Sequence, residues 1–239
     1  MKLASWNVNS LKVRLPHLLD WLAEAQPDLL GLQETKLVDE KFPQAAIEAA
    51  GYRVSFAGQP TYNGVAVLAR ASRFSALEDI RVNDPQLPDD QKRLLALTAV
   101  PADGSPPIRF INAYMPNGSA VGSEKYAYKL AWLAALRDRL GEELQQHPHL
   151  ALVGDFNIAP ADLDVHDPAT WQGQILCSEP EREAFRAFVQ LGLHDSLRVL
   201  HPTAEGAFSW WDYRQAGFRR NLGLRIDLIL ITEPLRQTL

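Results

Sequence analysis

The order of apolar and polar positions along the chain predicts short buried strands interspersed with amphipathic helices. Apolar residues recur at helical spacing over residues 14–25, and a long helix is expected over 124–144. Two further helices are predicted, one from Pro43 to a stop at Gly51 and one over 180–191 with proline in its first turn. Strands are predicted at 2–8, 29–32, 52–57, 65–69, 93–100, 108–113, 150–153 and 224–231, with another within 75–82.

Several of these strands follow one another without an intervening helix, which favours mixed sheets over a strict βαβ repeat. The fold class predicted from this order is α/β: a four-layer α/β sandwich in which two mixed β-sheets pack face to face and helices flank them. The chain has 239 residues and no linker-like segment or internal repeat, so residues 1–239 are interpreted as one domain.

Composition narrows the class of protein. The chain is 46% hydrophobic and 22% charged, which is ordinary for a globular protein. No apolar run approaches the ~18 residues of a membrane span, and the N-terminus turns polar too early for a signal peptide, so no membrane association is expected. Cys177 is the only cysteine, which excludes an intrachain disulfide and favours a cytoplasmic location. No heptad pattern is present, so a monomer is expected.

The charge distribution has two interpretations. The formal net charge of −5 argues mildly against a nucleic-acid partner. However, Arg214, Arg219, Arg220 and Arg225 fall close together late in the chain. This cluster forms either a locally basic face on an acidic protein or an ordinary solvated surface.

Polar side chains end or follow several of the predicted strands. Asp155 and Asn157 stand two residues apart after an apolar run, so on extended backbone they project the same way; the alternative is an Asx turn that only ties down the loop. Asn7, Glu34 and Asp227 occupy similar positions. Oxygen donors of this kind suit Mg²⁺ or Mn²⁺ acting on phosphate esters, with a separate carboxylate to deprotonate the attacking water.

Six sequence blocks occur in the order and approximate spacing of one known family. They are Trp6-Asn7-Val8-Asn9-Ser10, Leu32-Gln33-Glu34-Thr35-Lys36, Asn63-Gly64-Val65-Ala66, Tyr114-Met115-Pro116-Asn117-Gly118, Gly154-Asp155-Phe156-Asn157-Ile158-Ala159-Pro160 and Gly223-Leu224-Arg225-Ile226-Asp227. With the segments 162–164 and 208–214, they make the chain resemble the exonuclease III family over essentially its whole length. These are bacterial-type abasic-site (AP) endonucleases with 3′→5′ exonuclease activity, within the endonuclease/exonuclease/phosphatase superfamily.

The resemblance implies a hydrolase of DNA base excision repair. Such an enzyme uses Mg²⁺ (or Mn²⁺), hydrolyses the phosphodiester 5′ to abasic sites and also trims 3′ ends. The implied partner is double-stranded DNA with abasic sites or blocked 3′ ends. The motifs are equally compatible with abasic-site incision, exonuclease action and 3′-phosphatase action.

The resemblance also implies a role for each strand-end residue. Glu34 resembles the metal ligand, with an ion pair to Lys36 as the alternative, and Asn7 resembles the residue that helps hold the metal, with turn capping as the alternative. Asp155 resembles the group that activates the attacking water.

Three further catalytic residues are implied in the same way. Asn157 resembles a ligand of the scissile phosphate. Tyr114 resembles a tyrosine that contacts the phosphate or leaving group, with a core tyrosine as the alternative. Asp227 resembles the carboxylate that orients a catalytic histidine.

The resemblance also implies residues that bind DNA, some of which lie outside the six blocks. They are Asn117, Lys125, Trp210, Arg219, Arg220 and Leu224. Trp210 and Leu224 resemble the apolar lining that receives a flipped-out abasic sugar. Core packing is the alternative for Trp210, and a solvated position is the alternative for Lys125 and the two arginines.

One expected block is missing. The family pattern continues with a Ser-Asp-His block and a last strand beyond the point at which this chain stops, Leu239. No other histidine lies in a comparable context. We interpret this as truncation in preference to natural loss, because every earlier catalytic position is present.

Two competing hypotheses follow from these observations. The missing histidine is compatible with a non-catalytic nucleic-acid-binding member of the same fold, against which Glu34, Asp155 and Asn157 argue. The shared superfamily motifs are compatible with a phosphatase or phosphodiesterase acting on lipids or inositol phosphates, against which the 208–214 and 223–227 segments argue.

Overall fold

One mixed sheet of four strands forms half of the central scaffold. The computed structural model describes the backbone of residues 1–239 and all side chains except that of Gln215. The first four strands are β1 (Leu3–Asn7), β2 (Leu29–Gln33), β3 (Tyr52–Ala57) and β4 (Val65–Arg70). They form a sheet in the order β1-β2-β4-β3, in which only β1 and β2 are parallel.

A second sheet packs against the first. The remaining strands are β5 (Phe74–Val82), β6 (Leu94–Pro101), β7 (Ile108–Tyr114), β8 (Leu150–Asp155), β9 (Leu193–Asp195), β10 (Trp210–Trp211), β11 (Gly223–Leu224) and β12 (Asp227–Thr232). Six of them form a sheet in the order β5-β6-β7-β8-β12-β9, in which only β7 and β8 are parallel. The short strands β10 and β11 form a separate antiparallel pair.

Seven α-helices accompany the two sheets over the residues that the structure describes, and the four longest cover the outer faces. The seven are α1 (Leu11–Ala25), α2 (Gln44–Ala49), α3 (Glu124–Gln146), α4 (Pro168–Trp171), α5 (Glu179–Gln190), α6 (Ser196–Leu200) and α7 (Glu233–Arg236). One apolar cluster joins α1 and α2 to the first sheet, and another joins α3 and α5 to the second. None of the helices in the described part of the chain combines the length and apolar character that a bilayer crossing requires.

The period-2 alternation of the strands determines which side chains meet between the sheets. Residues such as Leu29, Val67, Phe110 and Val153 alternate with outward neighbours and form the apolar cluster between the two sheets. This arrangement confirms the predicted fold class, two mixed sheets face to face with helices outside. Towards one end of the interface, the inward positions become polar, and these positions form the site described below.

Two predicted elements have different bounds in the structure. α1 begins at Leu11, three residues before its predicted start, because backbone bonds to the loop after β2 hold Ser10 and Leu11 in place. The predicted strand over 224–231 is interrupted, since Arg225 turns away into a buried ion-pair network. The short elements β9 and α6 were not predicted, because neither carries a clear periodic pattern.

Candidate active site

A cleft of about 630 Å³ lies where the polar ends of both sheets meet. Asn7 and Glu34 reach it from the first sheet, and Asp155 and Asp227 reach it from the second. Asp227 is the direct cross-strand neighbour of Asp155, and Tyr114 is the neighbour of Asp155 on its other side. The structure therefore brings residues that are distant in sequence into one cluster of oxygen-bearing side chains.

Asn7 links the two sheets across the cleft. Its Nδ2 donates to Glu34 Oε1 at 2.8 Å and to Asp155 Oδ2 at 2.9 Å. Its Oδ1 accepts from the backbone N–H of Asn9 at 3.0 Å. In this arrangement Asn7 acts as a donor that holds two carboxylates, Glu34 and Asp155, side by side.

Glu34 occupies a strained position at the end of β2. Its φ of 53° lies in the left-handed region, which non-glycine residues seldom adopt and which is often found at functional sites. Lys36 Nζ forms an ion pair with Glu34 Oε2 at 2.9 Å. Burial acts to raise the pKa of Glu34, but hydrogen bonds from Asn7 and Lys36 outweigh it, so the pKa lies below its usual value. Glu34 is therefore a carboxylate anion at neutral pH.

Asp155 and Asp227 are buried close to each other. Burial raises the pKa of Asp155 to about 6, although hydrogen bonds from Asn7 and the Asn157 backbone act in the opposite direction. Burial and the negative charge of Asp155 raise the pKa of Asp227 well above its usual range. One oxygen of Asp227, Oδ1, is buried without a hydrogen-bond partner. Such crowded carboxylates are poised to bind a proton or a cation.

Tyr114 ends β7 at the same edge. Burial and the charges of Glu34 and Asp155 raise the pKa of its hydroxyl, so the phenol stays protonated. The guanidinium of Arg93 lies 4.8 Å from the centre of the Tyr114 ring and fixes the ring from behind. Tyr114 can therefore donate a hydrogen bond to an anionic oxygen in the cleft.

Asn157 lies just beyond the cluster and is held by the surrounding loops. Its Nδ2 donates to Met115 O at 2.9 Å, and its Oδ1 accepts from Asn117 Nδ2 at 3.0 Å. Buried Lys129 donates to the backbone oxygens of Asn157 and Asn117 and is paired with Glu181. The amide of Asn157 is thus already fixed by the protein before any substrate binds.

The apolar residues implied to bind a sugar separate in the structure. Trp210 is half-buried and forms part of the cleft wall. Leu224 is fully buried in a small cluster with Val165, Cys177 and Ile226, so it does not line the open cleft. Leu224 pairs with Trp210 in the β10–β11 ladder. Trp210 packs against the buried cluster that contains Leu224. It supports the wall from behind.

The three basic residues implied to bind DNA lie in different places in the structure. Arg219 lines the cleft, whereas Arg220 lines a different groove with His166 and Phe208. Lys125 is exposed in the first turn of α3 and does not line the cleft.

Some cleft residues were not singled out from the sequence. Tyr213 and Phe218 stand at the rim with 83% and 75% of their surface exposed. Tyr213 lies in the 208–214 segment that carries part of the resemblance, but no role was assigned to it. Nothing in the sequence around Phe218 distinguishes it from other loop residues. Among the described residues that line the cleft, none is a histidine, so Asp227 has no imidazole partner there.

The side chains present fit a hard divalent cation. The donors are carboxylate oxygens, and the unpartnered Asp227 Oδ1 and the raised carboxyl pKa values indicate unbalanced negative charge. Within the described side chains, no three His, Cys, Asp or Glu groups are arranged so that they could hold a metal ion by themselves. An open site agrees with the preference of Mg²⁺ for one or two carboxylates plus waters and substrate phosphates.

Comparison with known proteins agrees with this geometry. Residues 4–238 match the endonuclease/exonuclease/phosphatase family. Exodeoxyribonuclease III of Haemophilus influenzae is 37% identical over 99% of this chain and 90% of its own length. A 3′ phosphatase from Neisseria, solved with a product DNA hairpin, is 45% identical with a TM-score of 0.92, covering 99% of this chain and 88% of that structure.

A third relative extends the comparison to archaea. An AP endonuclease from Archaeoglobus fulgidus is 37% identical with a TM-score of 0.88, over 99% of this chain and 88% of that one. All three relatives match across both sheets and the cleft between them. The chain therefore belongs to the endonuclease/exonuclease/phosphatase family, and within it to the nucleases of the exonuclease III and AP endonuclease type.

Proposed function

We propose that this nuclease is a Mg²⁺-dependent (or Mn²⁺-dependent) DNA-repair enzyme that hydrolyses the phosphodiester 5′ to an abasic site and trims 3′ ends. The observation that carries the proposal is the meeting of Glu34, Asp155 and Asp227 in one cleft with Trp210 in its wall. Carboxylates suit a metal-assisted attack on a phosphate, and the tryptophan suits an apolar sugar that lacks its base.

Glu34 is the residue best suited to hold the cation, because its lowered pKa keeps it charged. A cation bound there would compete with Lys36 for Glu34 Oε2. Asp227 would supply a second carboxylate from the opposite sheet. A cation bound there would neutralise phosphate charge and stabilise the leaving oxygen.

Asp155 is suited to activate the attacking water. A general base works best when its pKa is near the working pH, and burial raises the pKa of Asp155 to about 6. Asn7 and the backbone N–H of Asn157 hold the two Asp155 oxygens at 2.9 Å each, which fixes the direction of its lone pairs. The proposed role of Tyr114 is to donate a hydrogen bond from its protonated hydroxyl to a phosphate oxygen, in place of its bond to Glu34.

The rim of the cleft supports DNA as the substrate. Exposed Tyr213 and Phe218 offer ring faces on which bases can stack, and Arg219 offers a charge for the backbone.

The test uses a duplex oligonucleotide with a single synthetic abasic site and a second duplex with a 3′-phosphate. Each is incubated with Mg²⁺, with Mn²⁺ and with EDTA, and Glu34→Gln serves as the inactive control. We expect cutting 5′ to the abasic site and release of 3′-phosphate, both lost in EDTA and in Glu34→Gln.

Two outcomes would redirect the proposal. Tight binding of both duplexes by folded protein without any metal-dependent product would favour the non-catalytic binding protein. Hydrolysis of the 3′-phosphate without incision at the abasic site would restrict the function to 3′-end processing, the reaction named for the Neisseria relative.

A further inference from the structure

A buried polar layer lies directly beneath the cleft, between the two sheets. Asn112 and Gln33 are both fully buried, in an interface that is otherwise apolar. Asn112 is on β7, two residues before Tyr114, and Gln33 is on β2, immediately before Glu34. Burying an amide in such a place is unfavourable unless its hydrogen bonds are made, so the bonds made here define a specific geometry.

Asn112 crosses from the second sheet into the first. Its Nδ2 donates to the backbone oxygens of Leu32 and Ala66, at 2.8 and 2.9 Å. These two carbonyls belong to β2 and β4, which are neighbours in the first sheet. One side chain of the second sheet thus bonds two adjacent strands of the first.

Gln33 completes the layer from the other side. Its Nε2 donates to Asn112 Oδ1 at 2.6 Å and to Ser5 Oγ at 3.1 Å, which extends the network to β1 two residues before Asn7. One terminal atom of the Asn112 amide faces two carbonyl oxygens, so that atom must be the nitrogen. The other atom is then the oxygen, and the Gln33 atom that faces it must be the Gln33 nitrogen. The neighbours therefore determine both amide orientations.

The backbone opposite Asn112 is shaped to admit it. A Cβ added at Gly31 would lie 2.8 Å from Asn112 Oδ1 and 2.8 Å from Val153 Cγ2. Only glycine leaves room for the amide to reach the strand. This second observation shows that the close approach of the sheets is built around the Asn112 side chain.

We propose that Asn112 is a positioning residue that fixes the two halves of the active site relative to each other. Asn7 and Glu34 are carried by the sheet that receives its hydrogen bonds, and Tyr114, Asp155 and Asp227 are carried by the sheet that supplies it. A displacement of about 1 Å between such halves is enough to cost on the order of 100-fold in rate. The inference rests on the proposed metal-dependent nuclease function.

The test compares Asn112→Leu with Val153→Ala. Both alter side chains of the same interface, but only the first removes hydrogen bonds between the sheets. We expect the kcat of Asn112→Leu on abasic-site DNA to fall roughly 10- to 100-fold, with KM nearly unchanged. Its affinity for Mn²⁺ without DNA, measured by electron paramagnetic resonance, is expected to fall roughly 10-fold. Val153→Ala is expected to lose thermal stability but to keep kcat and Mn²⁺ affinity.

A milder variant covers failure of Asn112→Leu to fold. Gln33→Met removes the donor to Asn112 together with Gln33 Oε1, a buried atom that has no partner. We expect it to fold and to show the same pattern with a smaller loss. Equal effects of Asn112→Leu or Gln33→Met and of Val153→Ala on kcat and Mn²⁺ affinity would overturn the positioning role.

The two proposals fail in different ways. If the unaltered protein cleaves no DNA but the Asn112→Leu variant still binds Mn²⁺ more weakly, the proposed function falls and the positioning role stands. If the unaltered protein is active and Asn112→Leu matches it in kcat and Mn²⁺ affinity, the positioning role falls and the function stands.

Discussion

Asp155 occupies a position that suits catalysis at the expense of folding. Its pKa is raised to about 6 in the native state, mainly by burial, whereas an unfolded aspartate has a pKa of about 4. The native state therefore binds the proton more tightly than the unfolded state. Stability from this group is fully present below pH 4 and is lost as the pH rises through 6.

Asp155→Asn should consequently stabilise the metal-free protein at neutral pH while abolishing nuclease activity. We expect its free energy of unfolding at pH 7.5 in EDTA to be about 1–3 kcal/mol higher than that of the unaltered protein. The stabilisation from removing a buried charge exceeds the loss from weakening the hydrogen bond that Asn7 donates. The gain should disappear near pH 4. Urea unfolding at both pH values measures it, with exposed Asp138→Asn as the control. Lower stability of Asp155→Asn at pH 7.5 would contradict the raised pKa.

The two neighbouring arginines allow a test of which side of the 212–221 loop meets DNA. Arg219 lines the cleft, and Arg220 lines the different groove that also contains His166 and Phe208. We expect Arg219→Ala to raise KM and to reduce the slope of log KM against log salt by about one unit, while Arg220→Ala changes neither. Steady-state kinetics from 50 to 200 mM KCl would measure both variants. A larger effect of Arg220→Ala would place DNA on the other side of the loop.

Residue positions were predictable where a polar side chain ended an apolar run. Asn7, Glu34 and Asp155 were found this way, and the structure brings them together. Asn112 and Gln33 were not found, because a single amide inside a strand has the same pattern whether it faces solvent or another sheet. Only the packing of the two sheets distinguishes these cases.

At the scale of elements, the connection between β11 and β12 depends on one buried cation. Arg225 Nε donates to Asp164 at 2.6 Å, and its Nη2 donates to Asp195 at 2.6 Å. All three side chains are nearly inaccessible to solvent. The network ties the Trp210 wall to the loop after β8 and to the sheet edge at β9. The strand predicted over 224–231 is divided here because long-range ion pairs outweigh local β propensity.

Arg225→Met should therefore be strongly destabilising, although methionine fills much of the space. Removing Arg225 leaves buried Asp195 without its cation and Asp164 with Arg198 alone, and we expect a loss of about 3–5 kcal/mol. Urea unfolding at pH 7.5 measures it, and Arg214→Met, at a highly exposed arginine, is the matched control. A loss below 1 kcal/mol for Arg225→Met would show that Arg198 is a sufficient partner for Asp164 and that Asp195 tolerates losing its cation.

At the scale of the whole molecule, the arrangement of two layered sheets could be predicted but their strand order could not. Consecutive strands and amphipathic helices require face-to-face sheets covered outside. The insertion of β12 between β8 and β9, however, joins strands that are far apart in sequence. No local pattern encodes that pairing, yet it places Asp227 beside Asp155 and so completes the acidic cluster.

The same layering predicts how a cation affects the entire fold. Glu34 is carried by one sheet and Asp227 by the other, so a cation held between them would bind the native state and not the unfolded chain. We expect Mg²⁺ at about 100 times its dissociation constant to stabilise the protein by about 2.7 kcal/mol, seen as a higher melting temperature by differential scanning fluorimetry.

Glu34→Gln provides the control for that stabilisation, because it removes a carboxylate while keeping the shape of the side chain. Its melting temperature should respond far less to Mg²⁺, whereas Glu142→Gln, at an exposed position on α3, should respond like the unaltered protein. An equal Mg²⁺ response in all three proteins would mean that the cation acts on general surface charge. A response confined to proteins that retain Glu34 would mean that the cation holds the two sheets together at the cleft, where catalysis requires them to be fixed.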